Sequence, residues 1–559
     1  MTDEVTSTLV QSGSRTYVAS TASGLDTSAL VDIAYEQAAA PAVRIDAQVS
    51  ENAAEISAYE QMLTLTSDLQ AAVARLSRSQ GGTDDKGNVF ADKAAYYSAT
   101  GGADAAQLIG VSVDQDAQLG SYEIEVVQTA QAMKVMGAAT TDPDAGLGLA
   151  GSFEIGIVGE TSAALDVTAD MSLRDLAAAL NDADAGVTAT LVQVATDDYR
   201  LLLSSAETAQ EISITPTAGD DIFAAVGVTD GAGSFLNVTS QPQDAVINID
   251  GVEARRPTND FEDLIDGVDL SLLGEAPGTV VTVEIAQDYG AVKDAVTGFV
   301  DAYNAYRAFA QTQQSVDESG VASEDAVLFA DPLLRTLNDQ LYGDLNDSYG
   351  DGSGLSGLTV IGLAFDAGNN LVIDDEAALD DAIVDDFASV RALFETSLST
   401  SDDRLVLHEN TSAQDLSFAL ELQILADGTI TGATADGDAN AFEISGSTLT
   451  GKAGTAYEGL TFFMVGDADV TIDVSITQGL ADRLRNTTER FAASDGVIQS
   501  QVNSMLDVNA DLEQEAQQIR ERAERVRERE IDRYAKMEAQ VEAAQLLRDQ
   551  IAAILGGEG

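Results

Sequence analysis

The sequence predicts an α+β multidomain protein in which helices from the two termini pair as a coiled coil and β-rich domains are inserted between them. Three observations carry this reading. Apolar residues recur at spacings of three and four near each end, apolar and polar residues alternate between Gly-centred turns in the middle, and 559 residues exceed what a single core fills.

The first helix is expected to start at a cap on Asp26 or Thr27, with Leu30, Ile33, Ala34 and Ala38 behind it. Pro41 is expected to interrupt it and start a second helix, because proline lacks an amide donor and its ring crowds the preceding turn. From there Ile45, Val49, Ala53, Ile56, Tyr59 and Leu63 recur at three and four, and Leu69, Val73 and Leu76 extend the stripe to about Ser79. The other end mirrors this. Met505, Leu512, Ile519 and Val526 stand seven apart; Tyr534, Met537, Val541, Ala544, Leu547 and Ile551 continue after a phase slip, and Gly556 and Gly557 close the helix. Each ordered backbone residue costs about 1 to 2 kcal/mol, and each large buried apolar side chain returns about 1.5 to 3 kcal/mol. Such narrow stripes cannot stand alone, so the terminal helices must pack together or against other copies.

Within the C-terminal helix, QIRERAERVRERE (518–530) places five arginines in a chain that has only 28 Lys and Arg against 94 Asp and Glu. Local pairing is the expected explanation: Arg520 with Glu524, Glu521 with Arg525, Arg527 with Glu530 and Arg529 with Asp532, each contributing about 0.2 to 0.5 kcal/mol. Alternating charge beside Ile519, Ala523 and Val526 then reads as a coiled-coil flank.

Strand patterns fill the interior. GSYEIEVVQTAQA (120–132) alternates, as does GSFEI (151–155); SLRDLAAALN (172–181) reads as a short capped helix, and residues 186–205 as a hairpin. A second strand-rich stretch covers 244–288, helices return at 291–311 and 331–341, and strands with Gly-centred turns resume at 405–476.

The formal charge of −66 argues against a polynucleotide or anionic-bilayer partner, which it would repel. No run of about eighteen apolar residues occurs, the first twenty residues have no signal-peptide pattern, and the absence of cysteine excludes disulfide and thiolate chemistry. No catalytic set stands out, and neither a cofactor nor a metal is expected. His408 is the sole histidine, and nothing about its neighbours marks it as a base. DAGNNLVIDDE (366–376) and DGDAN (436–440) are rich in oxygen ligands, but the first lacks the third-position ligand and sixth-position glycine of an EF-hand loop, so turn chemistry explains both.

Several stretches, in order along the chain, resemble the FliD family of flagellar filament caps. These are SGLDTSALVDIAYEQAAAPAVRIDAQ (23–48), GSYEIEVVQTAQA, the 172–205 stretch, DAVINIDGVEARRPTNDFEDLIDGVDLSL (244–272), FVDAYNAY (299–306), IGLAFDAGNNLVIDDEAALDDAI (361–383), VRALF (390–394) and YAKMEAQV (534–541). The 172–205 stretch is similar to a module shared with flagellins. The resemblance implies a helical coiled-coil stalk built from both termini, a helical bundle leg and inserted β-rich head domains. Their expected extents are stalk 1–44, leg 45–99 and 290–399, head 100–140 with 233–289, inserted module 141–232, and leg with stalk helix 479–559. Residues 400–478 depart from the family's commonest pattern and are expected to form an extra β-rich domain.

Functionally the resemblance implies a non-enzymatic cap, exported through the flagellar type III channel to the extracellular filament tip. There it forms a homo-oligomeric ring and promotes folding and insertion of flagellin. Hook-filament junction proteins and an export chaperone are further implied partners. The packing residues expected are Leu30, Ile33, Ile45, Val49, Ile56 and Leu63 at one end and Ile519, Val526, Met537, Val541 and Ile551 at the other, flanked by Arg520, Glu521, Glu524 and Arg525. Another axial or junction protein, or a cell-adhesion protein with exposed β domains, would share part of this layout.

Overall fold

The computed structural model describes residues 8–12, 15–19, 23–78, 87–349, 355–412 and 414–555. It divides into two compact units, Val89–Ala291 and a second made of Met1–Asn88 with Val292–Gly559. The fold is α+β, and every strand pair described is antiparallel.

Unit Val89–Ala291 holds two cores. In the first, a five-stranded sheet runs Val252–Arg256, Ala245–Ile249, Gly120–Gln128, Val280–Gln287, Lys93–Ala99, and shares its apolar face with a three-stranded sheet of Asp260–Ile265, Val268–Leu272 and Ile109–Val113. Alternation in the sequence aims Ile124, Val126, Ile247, Val281, Val283 and Ile285 inward, where Phe261 and Leu270 meet them. Lys93–Ala99, expected in the helical leg, is an edge strand of this sheet. The second core is wider than the expected 141–232, since Lys134–Met136 and Val238–Ser240 join the hairpin Val187–Ala195/Asp198–Ser205 in one sheet. A three-stranded sheet and the helix Leu173–Asp182 cover it. The helix start is specified locally: Ser172 and Asp175 form a reciprocal capping box.

The second unit is built on long helices. We label the chain's helices in order: α1 Thr27–Ala74, α2 Leu173–Asp182, α3 Ile222–Ala225, α4 Tyr289–Gln313, α5 Pro332–Asn346, α6 Glu376–Asp385, α7 Phe387–Phe394, α8 Leu480–Ala492 and α9 Val497–Leu555. At 1.5 Å per residue α1 and α9 extend about 72 and 88 Å. Asp26 caps α1 by accepting from the amide of Ala29. Pro41 does not break α1, contrary to expectation. It lies on the exposed side together with Gln37, one turn earlier, so the Gln37 carbonyl that it leaves without a donor faces water and not a buried seam. Ser79 and the closing Gly556 and Gly557 lie outside the described residues.

The hairpin Leu363–Phe365/Leu371–Ile373 is locked to α4 by Asn304, which donates to the Leu371 carbonyl at 2.7 Å and accepts from its amide at 2.9 Å. In its turn Asp366 accepts from the amides of Gly368 and Asn370, and these bonds with the Asn370 side chain hold its carboxyl below the usual range.

Residues Ser397–Thr477 form a sandwich of two four-stranded sheets. One contains Ser397–Thr400, Val470–Thr477, Leu416–Ile424 and Ile430–Ala435; the other Leu405–Asn410, Leu460–Met464, Thr448–Gly451 and Phe442–Ser445. His408 lies exposed on one of these strands. The chain enters and leaves side by side: a Cβ on Gly479 would collide with the Phe394 carbonyl oxygen, which only glycine avoids.

Candidate functional site

The two ends of the chain meet along α1 and α9. Ser23 donates its amide to the Glu538 carboxylate at 3.0 Å and its hydroxyl to the other oxygen, Asp32 stands 3.8 Å from Arg527, Asp46 pairs with Arg520, and Asn52 donates to Asn509 at 2.7 Å. As one number rises the other falls, so the helices are antiparallel. The Arg527 guanidinium also lies 5.7 Å above the Tyr35 ring, a cation–π contact that suits a half-exposed cation.

Alanine makes the seam narrow. Ala42, Ala516 and Ile519 form one buried cluster with Ile45 against it, and Val31, Ala39 and Ala523 are also buried. Small side chains let two helix backbones approach closely but remove little apolar surface from water. The expected packing residues are distributed unevenly around this seam. Ile519 and Ile56 are buried; Ile45, Val49, Leu63, Val526, Met537 and Val541 are half-buried; Leu30, Ile33 and Ile551 are exposed, the last two at 49% each. Val31 holds the inward position one residue from Leu30. The alanines at 39, 42, 516 and 523 have no large side chain to mark them in the sequence. Their spacings of three and seven were the available signal.

The ion pairs that form are partly between the helices and partly local with other partners than expected: Arg520 reaches Asp46, and Arg527 stands 3.8 Å from Asp32 across the seam and 3.7 Å from Glu524 on its own helix. Among the described residues neither Arg520–Glu524 nor Glu521–Arg525 closes, and Glu530 pairs with Arg533 at 3.3 Å in place of Arg527. Arg520 and Arg527 lie at the edge of the α1 contact, where a carboxylate across the seam is as near as one along their own helix. Exposed pairs of either kind are weak, so the reach of the side chain decides which of them forms.

Further along, α1 enters a helical bundle through Ile56, Tyr59, Met62, Leu69, Val73 and Leu76, all buried. Tyr59 donates to Asp331 at 2.7 Å; burial, then this bond, pushes its phenol well above the usual range. At the end of α1, α8 contributes a buried ion pair, Asp482 with Arg485 at 2.9 Å. Asp482 accepts from the Thr396 amide at 2.6 Å, and Arg485 donates to the Arg78 carbonyl at 2.7 Å and to Ser77 at 3.0 Å. Burial raises the Asp482 carboxyl, opposed by Arg485. This pair therefore pins the end of α1 to the chain segment that leads into the sandwich. Among the described residues no cluster of acidic or histidine side chains is arranged to hold a metal ion, and no helix is long and apolar enough to cross a membrane.

Sequence comparison places this architecture. The model of the flagellar hook-associated protein 2 C-terminus matches residues 242–545, more than half of the chain, and that of the N-terminus matches 23–133. The chain belongs to the flagellar hook-associated protein 2 family, FliD. The flagellin hook IN motif matches residues 152–207, within the second core of unit Val89–Ala291. The B-type flagellar hook-associated protein 2 of Pseudomonas aeruginosa is 31% identical over 312 residues, 51% of this chain and 64% of that protein. Flagellar hook-associated protein 2 of Salmonella typhimurium is 24% identical over 237 residues, 40% of this chain and 49% of that protein. The chain thus spans between about half and two thirds of the length of these relatives. The D1-D2-D3 domains of the flagellar cap protein FliD from Escherichia coli align with a TM-score of 0.46 at 19% identity, covering 80% of this chain and 99% of that one.

Proposed function

We propose that this FliD-family chain is a non-enzymatic cap of the bacterial flagellar filament. Exported through the flagellar type III channel, it assembles with copies of itself at the filament tip, where arriving flagellin folds and inserts beneath it and is not lost to the medium. The observation that carries this reading is the α1–α9 pair, which joins the two ends of a chain matching the family at both ends. Leu30 and Ile33 remain exposed on that pair and Ile551 further along α9, and further copies would cover them. Hook-filament junction proteins and an export chaperone complete the partners in this reading.

The test is flagellin partition in a strain lacking the chain. Monomeric flagellin should accumulate in the medium with short or absent filaments. The full-length chain should reverse this, and a chain ending at Val508, which lacks most of α9 including the residues that meet Ser23–Asn52, should not. Normal filaments without leakage would overturn the proposal.

A further inference from the structure

Between Arg520 and Lys536 the exposed surface of α9 is sorted by charge. Arg522, Arg525, Arg529, Arg533 and Lys536 are exposed and follow one another at spacings of three and four, which places them on one stripe. Glu521, Glu524 and Glu528 are exposed too and follow the same spacings on a second stripe. At 100° per residue the stripes stand about 100° apart around the helix. Both turn away from Ala516, Ile519 and Ala523, which are buried on the seam side.

The basic stripe is incompletely satisfied within the chain. Among the described residues Arg522, Arg525 and Arg529 have no carboxylate at ion-pair distance, whereas Arg520 and Arg527 beside them reach α1. Arg522 and Arg529 donate back to the carbonyls of Gln518 and Arg525 at 3.3 Å. Cations without a carboxylate partner are unexpected in a chain with 94 acidic and 28 basic residues.

We infer that the two stripes are the two halves of one contact between copies of this chain, the basic stripe of one α9 meeting Glu521, Glu524 and Glu528 of the next α9 in parallel. The inference rests on the self-assembling cap reading and names its surface. Copies related by rotation about one axis keep helices along that axis parallel, and a head-to-tail contact requires two different, complementary faces on each molecule. A contact that paired like with like would set arginine against arginine. Flanking charges of this kind select partner and register more than they add affinity. The net charge of −66 disfavours an anionic polymer or lipid on the same stripe.

The test uses the full-length chain in analytical ultracentrifugation at one salt concentration. One variant carries Arg522→Glu, Arg525→Glu and Arg529→Glu; the other carries Glu521→Arg, Glu524→Arg and Glu528→Arg. Each alone should self-associate about ten- to a hundred-fold more weakly than the native chain, since several modest exposed pairs become repulsions. An equimolar mixture should regain native-like association, because every contact between unlike variants is again complementary. Recovery on mixing cannot come from two misfolded chains, and far-UV circular dichroism checks helix content independently. Variants that associate like the native chain, or a mixture that stays dissociated while both keep native helicity, would overturn the stripe contact. If the native chain itself stays monomeric, the self-assembly reading fails and the stripe contact with it.

Discussion

The α1–α9 pair and the Ser397–Thr477 sandwich both join antiparallel segments, but they are held in opposite ways. In the sandwich Phe418, Phe442, Tyr457 and Phe462 form one aromatic cluster, with ring centroids 4.9 Å apart for Phe418–Tyr457 and 6.0 Å for Phe442–Phe462. Aliphatic residues from both sheets enclose it. Along the paired stretch of α1–α9 the buried residues include the alanines at 39, 42, 516 and 523, supplemented by an Asn52–Asn509 hydrogen bond and ion pairs at the edge. Apolar burial is cumulative and is not screened by salt, whereas exposed ion pairs are weak and screened. One region completes an aromatic core within a single chain, whereas the other is held mainly by small side chains and edge pairs; both leave large apolar residues exposed, Leu425 and Phe463 in the sandwich and Leu30 and Ile33 on α1.

The largest effect that would separate the two is expected from Phe462→Ala, which removes the ring from a fully buried position. It should destabilise the sandwich by about 3 to 5 kcal/mol through lost transfer energy and a residual cavity. Denaturation followed by proteolytic protection of residues 397–477 should show this, with the far-UV helix signal of α1 and α9 lost no earlier than in the native chain. A smaller effect belongs to the seam. Asn509→Leu leaves Asn52 without its partner and should cost about 1 to 3 kcal/mol, while adding Asn52→Leu should recover most of it. A helix-monitored double-mutant cycle measures the coupling, and a cycle with none would show that the Asn pair does not set the alignment of the helices.

The smallest effect returns to the sandwich. Hydrogen bonds from Arg404 pull the Asp402 carboxyl from 3.8 down to about 2. A depressed folded value means the interaction contributes fully above the ordinary carboxylate range and is lost as pH falls from about 4 towards 2. Native chain and Asp402→Asn should therefore differ in melting temperature at pH 5 and converge near pH 2.

Much of the fold was legible in the sequence because it is written in local physics. The Asp26 cap, the capped helix that starts at Ser172 and the 187–205 hairpin each depend on residues within a few positions of one another. The errors arose where a distant contact decides. Pro41 is tolerated because its side of α1 is exposed, and Lys93–Ala99 is a strand because Val280–Gln287 lies beside it. At the candidate site, periodicity located the stripe but not its centre: Val31 is buried while Leu30 and Ile33 are exposed.

Composition, period and the order of motifs, all present in the sequence alone, determined the α+β class, the helical ends, the strand-rich interior, the acidity and the family. The tertiary structure alone decided which face of each terminal helix is the seam, that alanines form it, and that Arg520 answers to Asp46, 474 positions away. The physical reason is range. Hydrogen-bonded turns and amphipathic periods are set by neighbours along the chain, whereas one residue of helical phase moves a side chain by about 100°, so only the surface that arrives opposite it can select the buried face.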